Sequence, residues 1–270
     1  MKLTNAQLES YWDLGVLVSD GPVFSPSQIE TLRGEVPAML AERGPRRVME
    51  KGRELVRSVY GTHRTNVTYD SLTRDARLVE PAQALIQDEI YVHQFKINVK
   101  ASFGGDRWEW HQDYIFWQQE DGIPRDQLVN AVVYLDDVSE FNGPLICVPH
   151  SHKEGVISCS PGGTPAGYEE DPDWVANLTA DIKYSVTHDD VRRLVNRYGL
   201  RSLHGPAGTV VFFHPNLVHA SAMNMSPFER RAVFVTYNSV HNRPDPNGQR
   251  RPDFLCSREF QPVVATRAGD

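Results

Sequence analysis

His111 and Asp113 are separated by a single residue in Trp108-Glu-Trp-His111-Gln-Asp113-Tyr-Ile-Phe-Trp117. On an extended chain such a pair turns one imidazole and one carboxylate to the same side. Two donors are too few to hold a metal ion. A third is offered far downstream in Val210-Val-Phe-Phe-His214-Pro-Asn-Leu-Val-His219-Ala-Ser221, where a buried-type strand gives way to a turn. Two histidines and one carboxylate form the facial triad of mononuclear non-haem iron(II) oxygenases, which leaves adjacent positions for a cosubstrate and dioxygen. His219 is preferred to His214 as third ligand because Ser221 and Arg230 follow it at the spacing a cosubstrate site requires. An arginine fork beside a hydroxyl is the natural receptor for a distal carboxylate such as that of 2-oxoglutarate, since paired charge-assisted bonds fix both position and orientation. Arg231 reads instead as a solvated turn charge. The same three donors could serve a zinc hydrolase, but that enzyme would not require a dicarboxylate receptor. A non-catalytic jelly-roll binding protein would need no triad.

These residues require a frame of strands. Tyr91-Val-His-Gln-Phe-Lys-Ile-Asn-Val-Lys100 alternates with period two, so Phe95, Ile97 and Val99 share one face and Gln94, Lys96 and Asn98 the other. Further strands are expected at Val129–Leu135, Pro144–Val148, Gly208–Phe213 and Arg231–Asn238, parted by Gly- or Pro-bearing turns. This spacing predicts a mainly β protein with flanking helices, a sandwich or jelly roll. Ahead of the strands, Thr4 can cap a helix over Asn5–Leu14, and Ser25-Pro26-Ser27 opens a second with Ile29, Leu32 and Val36. A third is expected through Pro81–Gln87, with loops and short strands between Gly44 and Tyr69. The segment from about 155 to 205 differs in composition, with a loop at Ser160–Gly167 and a helix at Asp189–Tyr198, and reads as an insertion or lid.

At 270 residues, 40% hydrophobic and 23% charged, the chain can bury a full core, and one domain over 1–270 is expected. The net charge of −7, without a basic run, argues against nucleic acid or an anionic membrane as partner. No apolar stretch reaches the roughly 18–20 residues that span a bilayer, and the start lacks a signal-peptide core, so the expected location is cytoplasmic. Cys147, Cys159 and Cys256 have no CxxC spacing and read as reduced thiols. His63, His93, His152, His188, His204 and His241 lack an evident ligand partner.

The motifs His111-x-Asp113, Asn142-Gly-Pro-Leu with Pro149-x-Ser-His152, and His219-x-Ser-x-x-Asn224-x-Ser-Pro-x-x-Arg230 resemble the phytanoyl-CoA dioxygenase superfamily. That resemblance implies a double-stranded β-helix, a cupin-like jelly roll, using Fe(II), 2-oxoglutarate and O2. Within the superfamily, Tyr91-Val-His-Gln-Phe-Lys-Ile-Asn98, Trp110-His-Gln-Asp-Tyr-Ile-Phe-Trp117, Glu120-Asp-Gly and Asn224-Met-Ser-Pro are most similar to bacterial hydroxylases of free L-proline of the trans-4 type. The resemblance further implies that Asn98 meets a 2-oxoglutarate carboxylate and that Lys96 lies near the cosubstrate. Gln94 would meet the substrate, Trp117 and Phe213 would wall its ring, and Arg125 is a candidate for its carboxylate. Phe234 would add a wall on the strand face shared with Ala232. Ectoine hydroxylases are similar too, but carry Ser in place of Gln112 and Asn in place of Ala232. The superfamily's usual Gly is replaced by His150. The expected substrate is a small free cyclic amino acid, L-proline before pipecolic acid or ectoine, and the expected assembly a monomer or homodimer.

Overall fold

Alternation along the central strands decides the architecture. The computed structural model describes residues 2–52, 54–157, 159, 162, 165–245 and 251–267. The chain opens with α1 (Asn5–Leu14), β1 (Val16–Pro22), α2 (Pro26–Ala41), β2 (Arg47–Met49), β3 (Val56–Tyr60), α3 (Val67–Arg74) and α4 (Ala76–Ile86). It continues through β4 (Ile90–Lys100), β5 (Trp108–His111), α5 (Asp113–Asp121), β6 (Leu128–Tyr134) and β7 (Leu145–Cys147). The last elements are α6 (His188–Tyr198), β8 (Arg201–Leu203), β9 (Thr209–Phe213), β10 (His219–Ser221) and β11 (Arg230–Ser239). Seven strands form one sheet in the order β1-β9-β6-β11-β4-β3-β2, and four form another in the order β5-β10-β7-β8. All pairings between these strands are antiparallel, as a jelly roll requires.

Apolar side chains of the large sheet are buried on both of its faces. Phe95, Ile97 and Val99 of β4, with Val233, Val235 and Tyr237 of β11, pack on Ile29, Leu32 and Val36 of α2 and Leu78, Ala82 and Leu85 of α4. The alternate residues Val132, Tyr134, Ala232 and Phe234 pack toward Leu145, Cys147 and Leu203 of the small sheet. Burying both faces explains why β6 and β9 are buried throughout and, apart from Asn130 and Thr209, apolar rather than alternating.

Helices begin where their caps stand. Thr4 with Gln7, and Ser25 with Gln28, form reciprocal capping boxes at α1 and α2. The expected third helix starts earlier than Pro81, at Ala76, because Asp75 caps it and Pro81 is accommodated inside. Val67–Arg74, expected as loop up to Tyr69, is helical and capped by Asn66. Strand β1 had no signal in the sequence reading, since its pairing with β9 supplies the order its composition lacks. His150 has φ 64°, the left-handed conformation that favours Gly, at the position where Gly is usual in the resembling superfamily. In the expected loop at Ser160–Gly167, residues 160, 161, 163 and 164 lie outside the described residues. Among the described residues no helix is long and apolar enough to cross a membrane.

Candidate active site

The two histidines are brought together by strand pairing. β5 and β10 are neighbours, with His111 and His219 directly opposite, and their rings lie 4.2 Å apart, centre to centre. Asp113 is not on the strand, as the extended-chain reading had it, but is the first residue of α5. Gln112 between them keeps an extended backbone, φ −117° and ψ 138°, so both side chains still converge. His111 Nε2 is 3.6 Å from Asp113 Oδ1, and His219 Nε2 is 3.9 Å from Asp113 Oδ2. All three potential ligand atoms lie within 4.8 Å of one another and are buried.

The surroundings fix the state of each donor. His111 Nδ1 donates to the Glu109 carbonyl at 2.6 Å and His219 Nδ1 to that of Leu217 at 2.9 Å. Those bonds select the tautomer that leaves both Nε2 atoms free as ligands. Asn130 Nδ2 donates to Asp113 Oδ2 at 2.8 Å, and Thr236 in turn donates to Asn130 Oδ1 at 2.7 Å. Burial opposes ionisation of Asp113, but the adjacent His111 side chain and the charge of Lys96 outweigh it and hold the carboxyl below its usual range. Burial and the neighbouring His111 push His219 down to about 3, so it is the neutral imidazole that a metal needs. His214 points elsewhere: its Nδ1 accepts from Asn216 N at 3.1 Å, and its ring lies 5.0 Å from that of His152.

Asn98 Oδ1 on β4, Ser221 Oγ on β10 and Arg230 Nε on β11 have no hydrogen-bond partner among the described residues. Arg230 is 2% exposed, and among the described residues its side chain gives one hydrogen bond, from Nη2 to the Gly143 carbonyl at 2.6 Å. Burial lowers its guanidinium to about 10. A buried cation without a counter-ion is costly, so this one calls for an anion. The register sets the neighbourhood: Arg230 of β11 lies opposite Lys100 of β4, Ala232 opposite Asn98, and Phe234 opposite Lys96. The donor set of the triad and these orphaned atoms fit an iron ion with a bound dicarboxylate.

Beside the triad lies a cavity of about 30 Å³ whose walls include Gln94, Lys96, Trp108, Phe116 and Trp117 from the barrel end. Lys96 Nζ sits 5.1 Å from the centre of the Phe234 ring and 5.7 Å from that of Trp108. Three expected contacts lie outside the wall, the first being Phe234, which packs in the core between the two sheets. Phe213 is buried behind the metal site, its ring 4.9 Å from that of His219. Arg125 is exposed and donates to the His241 carbonyl at 3.2 Å, because its segment packs against the 238–242 turn rather than the cavity.

Sequence reasoning missed Tyr60, Asn177 and Arg251, all in the cavity wall. Arg251 follows a Pro- and Gly-rich stretch that reads as surface; only its bidentate pairing with buried Asp121 shows otherwise. Asp121 also lies near His93 and Cys256, with the His93 Nε2 to Asp121 Oδ2 distance 3.5 Å. Both carboxylate oxygens are already engaged by Arg251, so the cluster reads as a braced ion pair.

Residues 12–232 match the family described as phytanoyl-CoA dioxygenase. The L-proline trans-4-hydroxylase of Streptomyces griseoviridis is 37% identical over 244 residues, covering 90% of this chain and 89% of the relative. The ectoine dioxygenase of Streptomyces anulatus is 32% identical over 265 residues, covering 95% and 86%. EctD from S. alaskensis, solved with 2-oxoglutarate and 5-hydroxyectoine, superposes with TM-score 0.83 at 28% identity, covering 98% of this chain and 88% of that one. The same enzyme solved with bound Fe gives a TM-score of 0.81. Taken with the triad and its orphaned anion receptor, the match over most of its length means that the chain belongs to the phytanoyl-CoA dioxygenase family, as an iron- and 2-oxoglutarate-dependent dioxygenase.

Proposed function

We propose that this enzyme hydroxylates a free cyclic amino acid, L-proline to trans-4-hydroxy-L-proline, with 2-oxoglutarate and O2 consumed and succinate and CO2 released. The observation that carries the reading is Arg251, a buried guanidinium in the cavity wall, aimed by the two hydrogen bonds it donates to Asp121 and sharing the cavity with His111 and Asp113. An arginine held this way is suited to a substrate carboxylate. Gln94 gives its Nε2 to the Leu255 carbonyl at 2.8 Å, which leaves its Oε1 to accept from a substrate ammonium. Trp117 and Phe116 supply flat walls for an apolar ring.

In this reading His111, Asp113 and His219 hold the iron, and Ser221, Arg230 and Asn98 hold the cosubstrate, with Lys96 beside it. The iron, with 2-oxoglutarate and O2, supplies the oxidising chemistry that replaces a substrate C–H by C–OH. The protein orients the ring, excludes water and keeps the His219 imidazole neutral. The whole chain acts as one catalytic domain, with an insertion between β7 and β8 whose Asn177, Leu178 and Ile182 line the cavity. A space of about 30 Å³ is smaller than an amino acid, so substrate entry requires side chains of the wall to shift aside. Three unpaired cysteines suit the reducing cytoplasm.

The test is a panel of L-proline, pipecolic acid and ectoine assayed for succinate release, with products identified by mass and NMR. L-proline should give the highest kcat/KM. Best turnover of ectoine, or reaction only with peptide-bound or CoA-linked substrates, would overturn the free-amino-acid reading while leaving the dioxygenase intact.

A further inference from the structure

The wall of the cavity contains polar atoms that have no hydrogen-bond partner among the described residues. Asn177 is 4% exposed, and neither its Nδ2 nor its Oδ1 has a hydrogen-bond partner. Tyr60 is fully buried, and its hydroxyl is likewise unpartnered. Both side chains line the cavity with Arg251 and Gln94. A buried amide and a buried phenol without partners are destabilising unless a ligand or a water pairs them.

Asn177 is also prevented from swinging out to solvent. It sits near the end of a 3₁₀ turn, Asp173–Leu178, in the insertion. The fully buried Arg57 donates from Nε to the Leu178 carbonyl at 3.0 Å and from Nη2 to that of Thr179 at 3.3 Å. Arg57 is itself held by Glu50 at 3.0 Å, and its guanidinium lies 3.8 Å from the centre of the Trp108 ring. The backbone following Asn177 is therefore pinned to the barrel, and its amide is presented from a fixed base.

We infer that Asn177 and Tyr60 are specificity-determining residues that read the ammonium and carboxylate of the substrate together; the inference rests on the free-amino-acid reading above. A carboxamide carries a donor and an acceptor side by side, which complements the two charged groups on one α-carbon. A secondary ammonium has two N–H donors, one for Gln94 Oε1 and one for Asn177 Oδ1. The carboxylate accepts from Arg251, from Asn177 Nδ2 and from the Tyr60 hydroxyl. Arg251 alone would accept any small carboxylic acid; the amide adds the demand for an amino acid.

The experiment compares wild type, Asn177→Leu and Tyr60→Phe on the best amino-acid substrate of the panel, with 2-oxoglutarate binding followed by calorimetry. Asn177→Leu should raise substrate KM at least about tenfold, and Tyr60→Phe roughly three- to tenfold, as expected for hydrogen bonds to charged groups. The 2-oxoglutarate Kd should stay within about twofold of wild type, since the cosubstrate is held elsewhere. Cyclopentanecarboxylic acid, which has no ammonium, should inhibit weakly and lose less than proline does in Asn177→Leu. Tyr60→Phe removes one oxygen and keeps the question answerable should Asn177→Leu fail to fold. Amino-acid turnover with unchanged KM in the variants, or an equal loss of 2-oxoglutarate binding, overturns this assignment alone. Wild type turning over no amino acid overturns the underlying reading, and this one with it.

Discussion

Asp121 grips Arg251 through two parallel hydrogen bonds, 2.7 Å from Nε and 2.6 Å from Nη2, and neither side chain reaches solvent to any useful extent. Burial works against the Asp121 carboxylate, but the charge and hydrogen bonds of Arg251 prevail and bring it down to about 2. A depressed carboxyl stabilises the fold above its unfolded pKa of about 3.9, and that contribution fades as pH falls toward 2. Asp121→Ala strands a buried cation and should destabilise by about 3–5 kcal/mol in urea titration. The variant should also lose less stability than wild type as pH falls from 4 to 2, because one of several depressed carboxyls is gone. An unchanged unfolding midpoint would contradict the pairing.

At the metal, Asp113→Ala should abolish turnover while the thermal transition persists, because α5 and the strands do not depend on that carboxylate for packing. Asn130→Ala is the finer test. It frees Asp113 Oδ2 from its hydrogen bond and should weaken iron binding about 10–100-fold in a metal titration. Wild-type activity in Asp113→Ala would remove it from the ligand set.

Arg230→Ala should weaken 2-oxoglutarate binding by one to several orders of magnitude, each charge-assisted bond being worth roughly 1.5–3 kcal/mol. Calorimetry reads this directly. Amino-acid binding should change little, and an unaltered cosubstrate affinity would show that Arg230 serves another group.

Lys100 should make cosubstrate binding sensitive to pH. Burial, then the charges of Arg230 and Arg57, lower its ammonium to about 6, with Glu50 and Asp106 acting the other way. Its Nζ donates to the carbonyls of Asp106 at 2.5 Å and Ala222 at 2.6 Å, two bonds a neutral amine can still make. A dianion arriving at Arg230 favours the charged form, so binding takes up a proton above pH 6. Affinity should therefore fall as pH rises from 6 to 8, and the calorimetric heat should track the ionisation enthalpy of the buffer. Lys100→Met should lose both effects; if it retains them, the proton is taken up elsewhere.

What the sequence made legible was the part governed by local periodicity. The polar face of β4 announced Gln94, Lys96 and Asn98 because its alternation left three polar residues pointing into a closed barrel. The triad and Arg230 stood on short spacings that the strands preserved. Arg125 was misplaced for the opposite reason: an exposed turn gives no periodicity from which to infer direction, and its guanidinium faces His241. Asn177 and Arg251 acquire meaning only through partners far along the chain, Arg57 behind one and Asp121 behind the other. No pattern within either segment encodes such a meeting.

The clasp between Arg57 and the carbonyls of Leu178 and Thr179 joins two parts with different histories open to them. On one side the strands carry the groups assigned to iron and cosubstrate, where a changed side chain disturbs the register of a whole sheet. On the other, a turn outside both sheets presents Asn177 through main-chain contacts that do not depend on which residue stands there. A lineage could thus exchange the amide for another group and retain the clasp. Descent from a common oxygenase could then yield enzymes of differing appetite with the same oxidative engine, and a breeder of catalysts could select at position 177 first.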